Sequence, residues 1–80
     1  MSNKIKIEYC TGWGYLARAV ALTRNILTEH SNKITELILE PSHDGVLEIS
    51  VNDELIFSKK QLNRYPEKRE IEDIVTQKLS

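Results

Sequence analysis

The hydrophobic period of this chain changes abruptly between Tyr9 and Tyr15. Before that stretch Ile5, Ile7 and Tyr9 alternate with Lys4, Lys6 and Glu8, the period of two expected of a strand with one buried and one solvated face. After it, Leu16, Ala19, Val20, Thr23 and Leu27 recur at helical spacing, with Arg18, Asn25, Thr28 and Glu29 mostly on the other side. Between them lies Cys10-Thr11-Gly12-Trp13-Gly14, a corner whose two glycines permit a sharp turn. The single cysteine of the protein therefore falls on a strand-to-helix corner. There the unpaired N–H groups of a helix start favour a thiolate, and the thiol is expected to be both exposed and activated.

The helix is expected to end near His30-Ser31-Asn32, and Ile34 to Leu39 reads as a second strand stopped by Pro41. Strand, helix, strand is a βαβ unit, so these two strands should lie parallel. Pro41 to Gly45 is turn chemistry. Leu47, Ile49 and Val51 then alternate with Glu48 and Ser50. Asn52-Asp53 joins this run to Leu55 and Phe57, and both residues tolerate the positive φ of a type I′ hairpin. Ser58 to Arg64 reads as polar connection. Pro66 suits the first turn of a second helix with Glu67 and Glu70 near its positive end, and with Ile71, Ile74, Val75 and Leu79 as its stripe.

The order β-α-β-β-β-α and the solvated face of the first strand define the architecture. A strand covered on both faces would be continuously apolar. Both helices therefore belong on one face of a four-stranded mixed sheet, a two-layer α/β sandwich. The open face should show Lys4, Lys6, Glu8, Glu48 and Ser50 to water. Ile34, Ile38 and Ile56 join them if Leu37, Leu39, Leu55 and Phe57 point inward, which would make that face a contact surface, including for a weak homodimer.

Eighty residues form one domain, 1–80. A net charge of −1 offers no field for nucleic acid, and no run approaches the length of a membrane span. One cysteine cannot form an internal disulfide, and the alternation begins too early for a leader peptide, so a reducing, cytoplasmic setting is expected. Gly12-x-Gly14-x-x-Ala17, with Glu40 further on, fits a dinucleotide fingerprint literally. A single crossover followed by a hairpin lacks the switch point such a site needs. No cofactor is expected. Cys10, His30 and His43 lack paired-ligand spacing, so no metal is expected either. Lys59, Lys60, Arg64, Lys68 and Arg69 read as a solvated basic strip.

Tyr9-Cys10-Thr11-Gly12 and Gly14-Tyr15 resemble the motif of the selenoprotein W-related, Rdx-type family, as do Gly45 to Ile49, Glu54 to Lys60 and Tyr65-Pro66-Glu67. The likeness spans roughly residues 4 to 79. It implies a thioredoxin-like fold and a part in cell redox homeostasis. It also implies that a second cysteine or a selenocysteine belongs where this chain has Trp13. An indole cannot close a ring with Cys10, so the C-x-x-C/U motif is incomplete and an enzymatic activity does not follow from it.

The chemistry expected is monothiol exchange at Cys10, with glutathione or a protein partner, on a loop built by Gly12, Trp13 and Gly14. In thioredoxin-like folds the loop holding His43 faces the motif, so His43 is a candidate base toward Cys10 and otherwise a solvated turn residue. The competing reading is a non-catalytic interaction module that binds protein through the Trp13 loop or the open sheet face. Cys10 is then an inert small hydrophobe.

Overall fold

The computed structural model describes residues 3–80; Met1 and Ser2, where the expectation of no leader peptide begins, lie outside the described residues. Four strands, β1 (Lys4–Cys10), β2 (Glu36–Ser42), β3 (Leu47–Val51) and β4 (Glu54–Ser58), make one sheet in the order β2-β1-β3-β4. Helix α1 (Tyr15–His30) connects β1 to β2, and α2 (Lys59–Leu62) and α3 (Glu70–Leu79) follow β4. β1 runs parallel to β2, with Ile5 opposite Leu37 and Ile7 opposite Leu39. It runs antiparallel to β3, with Ile7 opposite Ile49. The expected mixed sheet is present, and the fold is thioredoxin-like.

The alternation of β1 sends Ile5, Ile7 and Tyr9 into a core completed by Ile49, Val51 and Phe57 from the sheet, Tyr15, Ala19, Leu22 and Ile26 from α1, and Ile71 and Val75 from α3. Ile7 and Ile49 are directly paired and fully buried, each contributing about 1.5–3 kcal/mol of transfer free energy. The hairpin forms as its residues require: Asn52 and Asp53 take φ of 50° and 70°. The Asn52 side chain accepts from the Lys4 amide at 2.8 Å and donates to Asn3 at 2.9 Å, which ties the turn to the start of β1.

Several local expectations are corrected. The buried stripe of α1 is Tyr15, Ala19, Leu22 and Ile26, while Leu16 and Val20 are each 50% exposed and Leu27 is also exposed. This helix is apolar on more than one side, and the docking of Tyr15 chooses the phase. β2 begins at Glu36, not Ile34, and runs through Pro41 to Ser42. It is an edge strand, where the missing N–H can face away from the ladder. Ile34 is half-buried against the core.

In β4 the register slips between Ile49 and Ser50, so Phe57 pairs with Ile49 but Leu55 pairs with Ser50. Such a bulge reassigns the sides: Leu55 is exposed and Ile56 packs against the core, the reverse of the simple alternation. Ile38 and Leu55 then sit on opposite edge strands, separated by Lys6 and Ser50, and make no continuous apolar patch on the open face.

The polar connection after β4 contains α2. Ser58 caps it by accepting from the Gln61 amide at 3.1 Å and donates in turn to Glu48, and Asn63 closes it in the left-handed region at φ 56°. Pro66 lies in a segment without regular secondary structure, and the last helix starts only at Glu70, after Arg69 turns left-handed at φ 64°.

Candidate functional site

β1 ends at Cys10, which is fixed from both sides. Its amide donates to the Val46 carbonyl at 2.9 Å, and the Thr11 amide donates to the Ser42 carbonyl at 3.1 Å. The chain then turns through Gly12, Trp13 and Gly14, and the Tyr15 amide returns to the Gly12 carbonyl at 3.2 Å to open α1. Gly14 takes φ 78°, so its freedom is used. Trp13 takes φ 54°, a conformation that costs an L-residue about 1–2 kcal/mol. Its indole is 85% exposed, so little packing repays that cost.

Cys10 is 6% exposed, which corrects the expectation of an exposed thiol. Pairing on both sides draws the last residue of β1 into the core cluster. Its Sγ accepts a hydrogen bond from the Gly12 amide at 3.4 Å, within the loop. Helix α1 begins five residues after Cys10 and two after Trp13, so neither residue lies in its first turn. The thiol is served by the loop backbone and not by the helix start.

Gly12 lies against Cys10, its amide 3.4 Å from Sγ, and Trp13 and Gly14 follow it in the loop. His43 is in the neighbouring loop, one residue beyond Ser42, but it is exposed and its Nδ1 lies 2.9 Å from Asp44 Oδ2. No hydrogen bond to Cys10 is present for it among the described residues, so the base role has no contact to support it. His30 is at the far end of α1, with Nε2 3.0 Å from Thr76 Oγ1, and does not join the other two.

The basic strip is not uniformly solvated. Arg64 grips Glu70 through two bonds of 2.8 and 2.9 Å, and Arg69 grips Glu29 at 2.7 and 3.0 Å. The Arg64 bonds and the Glu67 amide hold the Glu70 carboxyl at about 2, well below its ordinary 4.5. The Arg69 bonds likewise lower Glu29.

Sequence reasoning missed a second cluster beside the loop. Tyr65 packs on Tyr15 with ring centroids 5.4 Å apart, and Arg18 lies over the Tyr65 ring at 4.4 Å with Lys59 at 5.5 Å. Nothing in the spacing of residues 18, 59 and 65 links them. The only cue was a tyrosine close to a lysine run.

A thioredoxin-like sheet with a cysteine at the end of β1 and a glycine-flanked loop before α1 defines a thiol-redox class of small domain. Residues 4–77 match the Rdx family, and the chain belongs to that family. It is 37% identical over 62 residues to selenoprotein W of Danio rerio, covering 75% of this chain and 71% of that protein. A selenoprotein W-related protein from Vibrio cholerae superposes with a TM-score of 0.89 at 26% identity over the full length of both chains. A protein from Bordetella parapertussis superposes with a TM-score of 0.85 at 25% identity, covering 94% of this chain and 95% of its own. The family is associated generally with thiol redox chemistry.

Proposed function

We propose that this protein is a single-thiol member of the family, in which Cys10 forms and releases a mixed disulfide with glutathione or a protein partner. The observation that carries the reading is the Cys10 thiol turned into the Gly12–Gly14 loop, with a Gly12 N–H at 3.4 Å available to a developing thiolate. Trp13 stands at the position of the second chalcogen, so no internal disulfide can complete the cycle and an external thiol must release the adduct. Because Cys10 is buried, exchange requires the loop to open, and Gly12 and Gly14 supply the backbone freedom. Treatment with oxidised glutathione followed by intact-mass analysis should show one adduct per chain, lost on reduction and absent from Cys10→Ser. Modification only after denaturation would reject the reading.

A second reading is favoured by one specific feature. Trp13 is both strained and exposed, a combination that persists where a residue serves recognition, and tryptophan is enriched in binding hot spots. In that reading the fold is an interaction module and the indole is its anchor. Retention of partner binding by Cys10→Ser but not by Trp13→Ala would select it.

A further inference from the structure

The cations of this chain divide into those that pair with a carboxylate and those that do not. Arg64 and Arg69 grip carboxylates, as do Lys4, Lys6 and Lys78 at longer or single contacts. Arg18, Arg24, Lys33, Lys59, Lys60 and Lys68 have no carboxylate partner among the described residues. Of these, Arg18 and Lys59 are drawn together at the ring of Tyr65. The ring does not supply the missing negative charge: the Tyr15 hydroxyl beside it, then desolvation, push its phenol above the usual range.

The Lys59 end of this pair is also close to the thiol loop. The Lys59 ammonium is 3.9 Å from the point a Cβ on Gly45 would occupy, the Tyr15 hydroxyl is 3.7 Å from it and the Trp13 ring edge 3.9 Å. The next residue, Val46, accepts the Cys10 amide. A cation, a hydroxyl and the indole therefore converge at Gly45, one residue from the fastening of Cys10. The nearby Asp44 carboxylate is engaged by His43. The first turn of α1, on which Arg18 sits, contains no acidic residue.

We propose that Arg18 and Lys59, positioned by Tyr65, form a subsite for a carboxylate on the disulfide that exchanges with Cys10. The inference rests on the monothiol reading above and adds a charge preference to it. In the step, the Cys10 thiolate attacks one sulfur of the disulfide RSSR. The new Cys10–SR bond forms as the old S–S bond breaks, and RS⁻ leaves and takes a proton from water. The disulfide itself is the oxidant.

The full chain should be reacted separately with 3,3′-dithiodipropionate, bis(2-hydroxyethyl) disulfide and cystamine, which are anionic, neutral and cationic. Rates are read by intact mass and normalised to the reaction of each with 2-mercaptoethanol. At low ionic strength the anion should react about 10-fold faster than the cation, and about 0.5 M salt should remove most of the difference. Arg18→Gln/Lys59→Gln should abolish the preference, and Lys33→Gln, which alters charge elsewhere, should keep it. An unaltered preference in the double variant, or none in the parent, overturns the subsite.

A second arm does not depend on the thiol. Glutarate, a dicarboxylate without sulfur, should change the fluorescence of Trp13, the sole tryptophan, saturably in the parent and not in the double variant. If glutarate binds while Cys10 reacts with no disulfide, the monothiol reading falls, and the exchange role of the subsite with it. If Cys10 reacts without charge preference and glutarate does not bind, the subsite falls and the monothiol reading stands.

Discussion

The Cys10 amide donates to the Val46 carbonyl at 2.9 Å, so the end of β1 is fastened to the residue that follows the left-handed turn at Gly45. The position of the thiol is therefore set by a turn thirty-five residues away in sequence, and perturbing that turn should reach the loop.

Gly45 has φ +68°, and a Cβ there would meet only ordinary van der Waals contacts, so the cost of substitution is conformational, not steric. Gly45→Ala should destabilise the fold by about 1 kcal/mol, a fall of roughly 4–8 °C in Tm for a domain of this size. Gly45→Asn, which tolerates the left-handed region better, should cost less. Thermal denaturation compares the two, and an alanine variant as stable as the parent would show that the turn has relaxed.

The acid limb of stability should contain the Arg64–Glu70 pair. Glu70 titrates at about 2 in the folded chain against an ordinary 4.5. Its folded value is depressed, so the stabilisation is present above the unfolded value and is lost as pH falls from about 4.5 to 2. Arg64 is partly exposed, and solvent screening makes the effect smaller than the shift alone implies. Urea denaturation of Glu70→Gln should show a flatter dependence across that window than the parent. Parallel curves would remove Glu70 from the account.

Much of this architecture is legible in the sequence, and each failure has a physical cause. β1 and the Asn52-Asp53 hairpin are clear because alternation and turn chemistry are local signals. The phase of α1 is not, since Leu16, Val20 and Leu27 make as good a stripe as Tyr15, Leu22 and Ile26, and only tertiary docking decides between them. The bulge at Ile56 depends on pairing with β3, which strand periodicity cannot register. The cation cluster at Tyr65 joins residues from α1, α2 and the following segment, so it exists only once the chain is folded.

Trp13 offers a direct measure of backbone strain in the loop. Trp13→Gly removes the left-handed penalty and should raise stability by up to about 1 kcal/mol, whereas Trp13→Ala should stay within about 0.5 kcal/mol of the parent because the indole is exposed. The gain from glycine is reduced by its larger unfolded-state entropy. Equal or lower stability of the glycine variant would mean that the indole contributes packing not evident from its exposure.

Trp13→Cys restores the spacing of the family motif and tests the site at its centre. Cys10 Sγ accepts from the Gly12 amide, and a Cβ on Gly12 would lie 3.9 Å from it, so the thiol already faces the loop from which residue 13 departs. Residue 13 lies two positions before α1, not within its first turn, and the introduced thiol therefore gains only a weak electrostatic benefit from the helix. Geometry, more than acidity, should drive the reaction. Mild oxidation should produce a reversible Cys10–residue 13 disulfide, detected as a loss of two mass units in the monomer and of both alkylatable thiols. The variant should also gain dithiol reductase activity that the parent lacks. Loss of the exposed indole should leave Tm nearly unchanged, so a negative result could not be blamed on unfolding. If oxidation gives only intermolecular dimers, the two positions do not face each other, and Trp13 then cannot be the structural counterpart of the missing chalcogen.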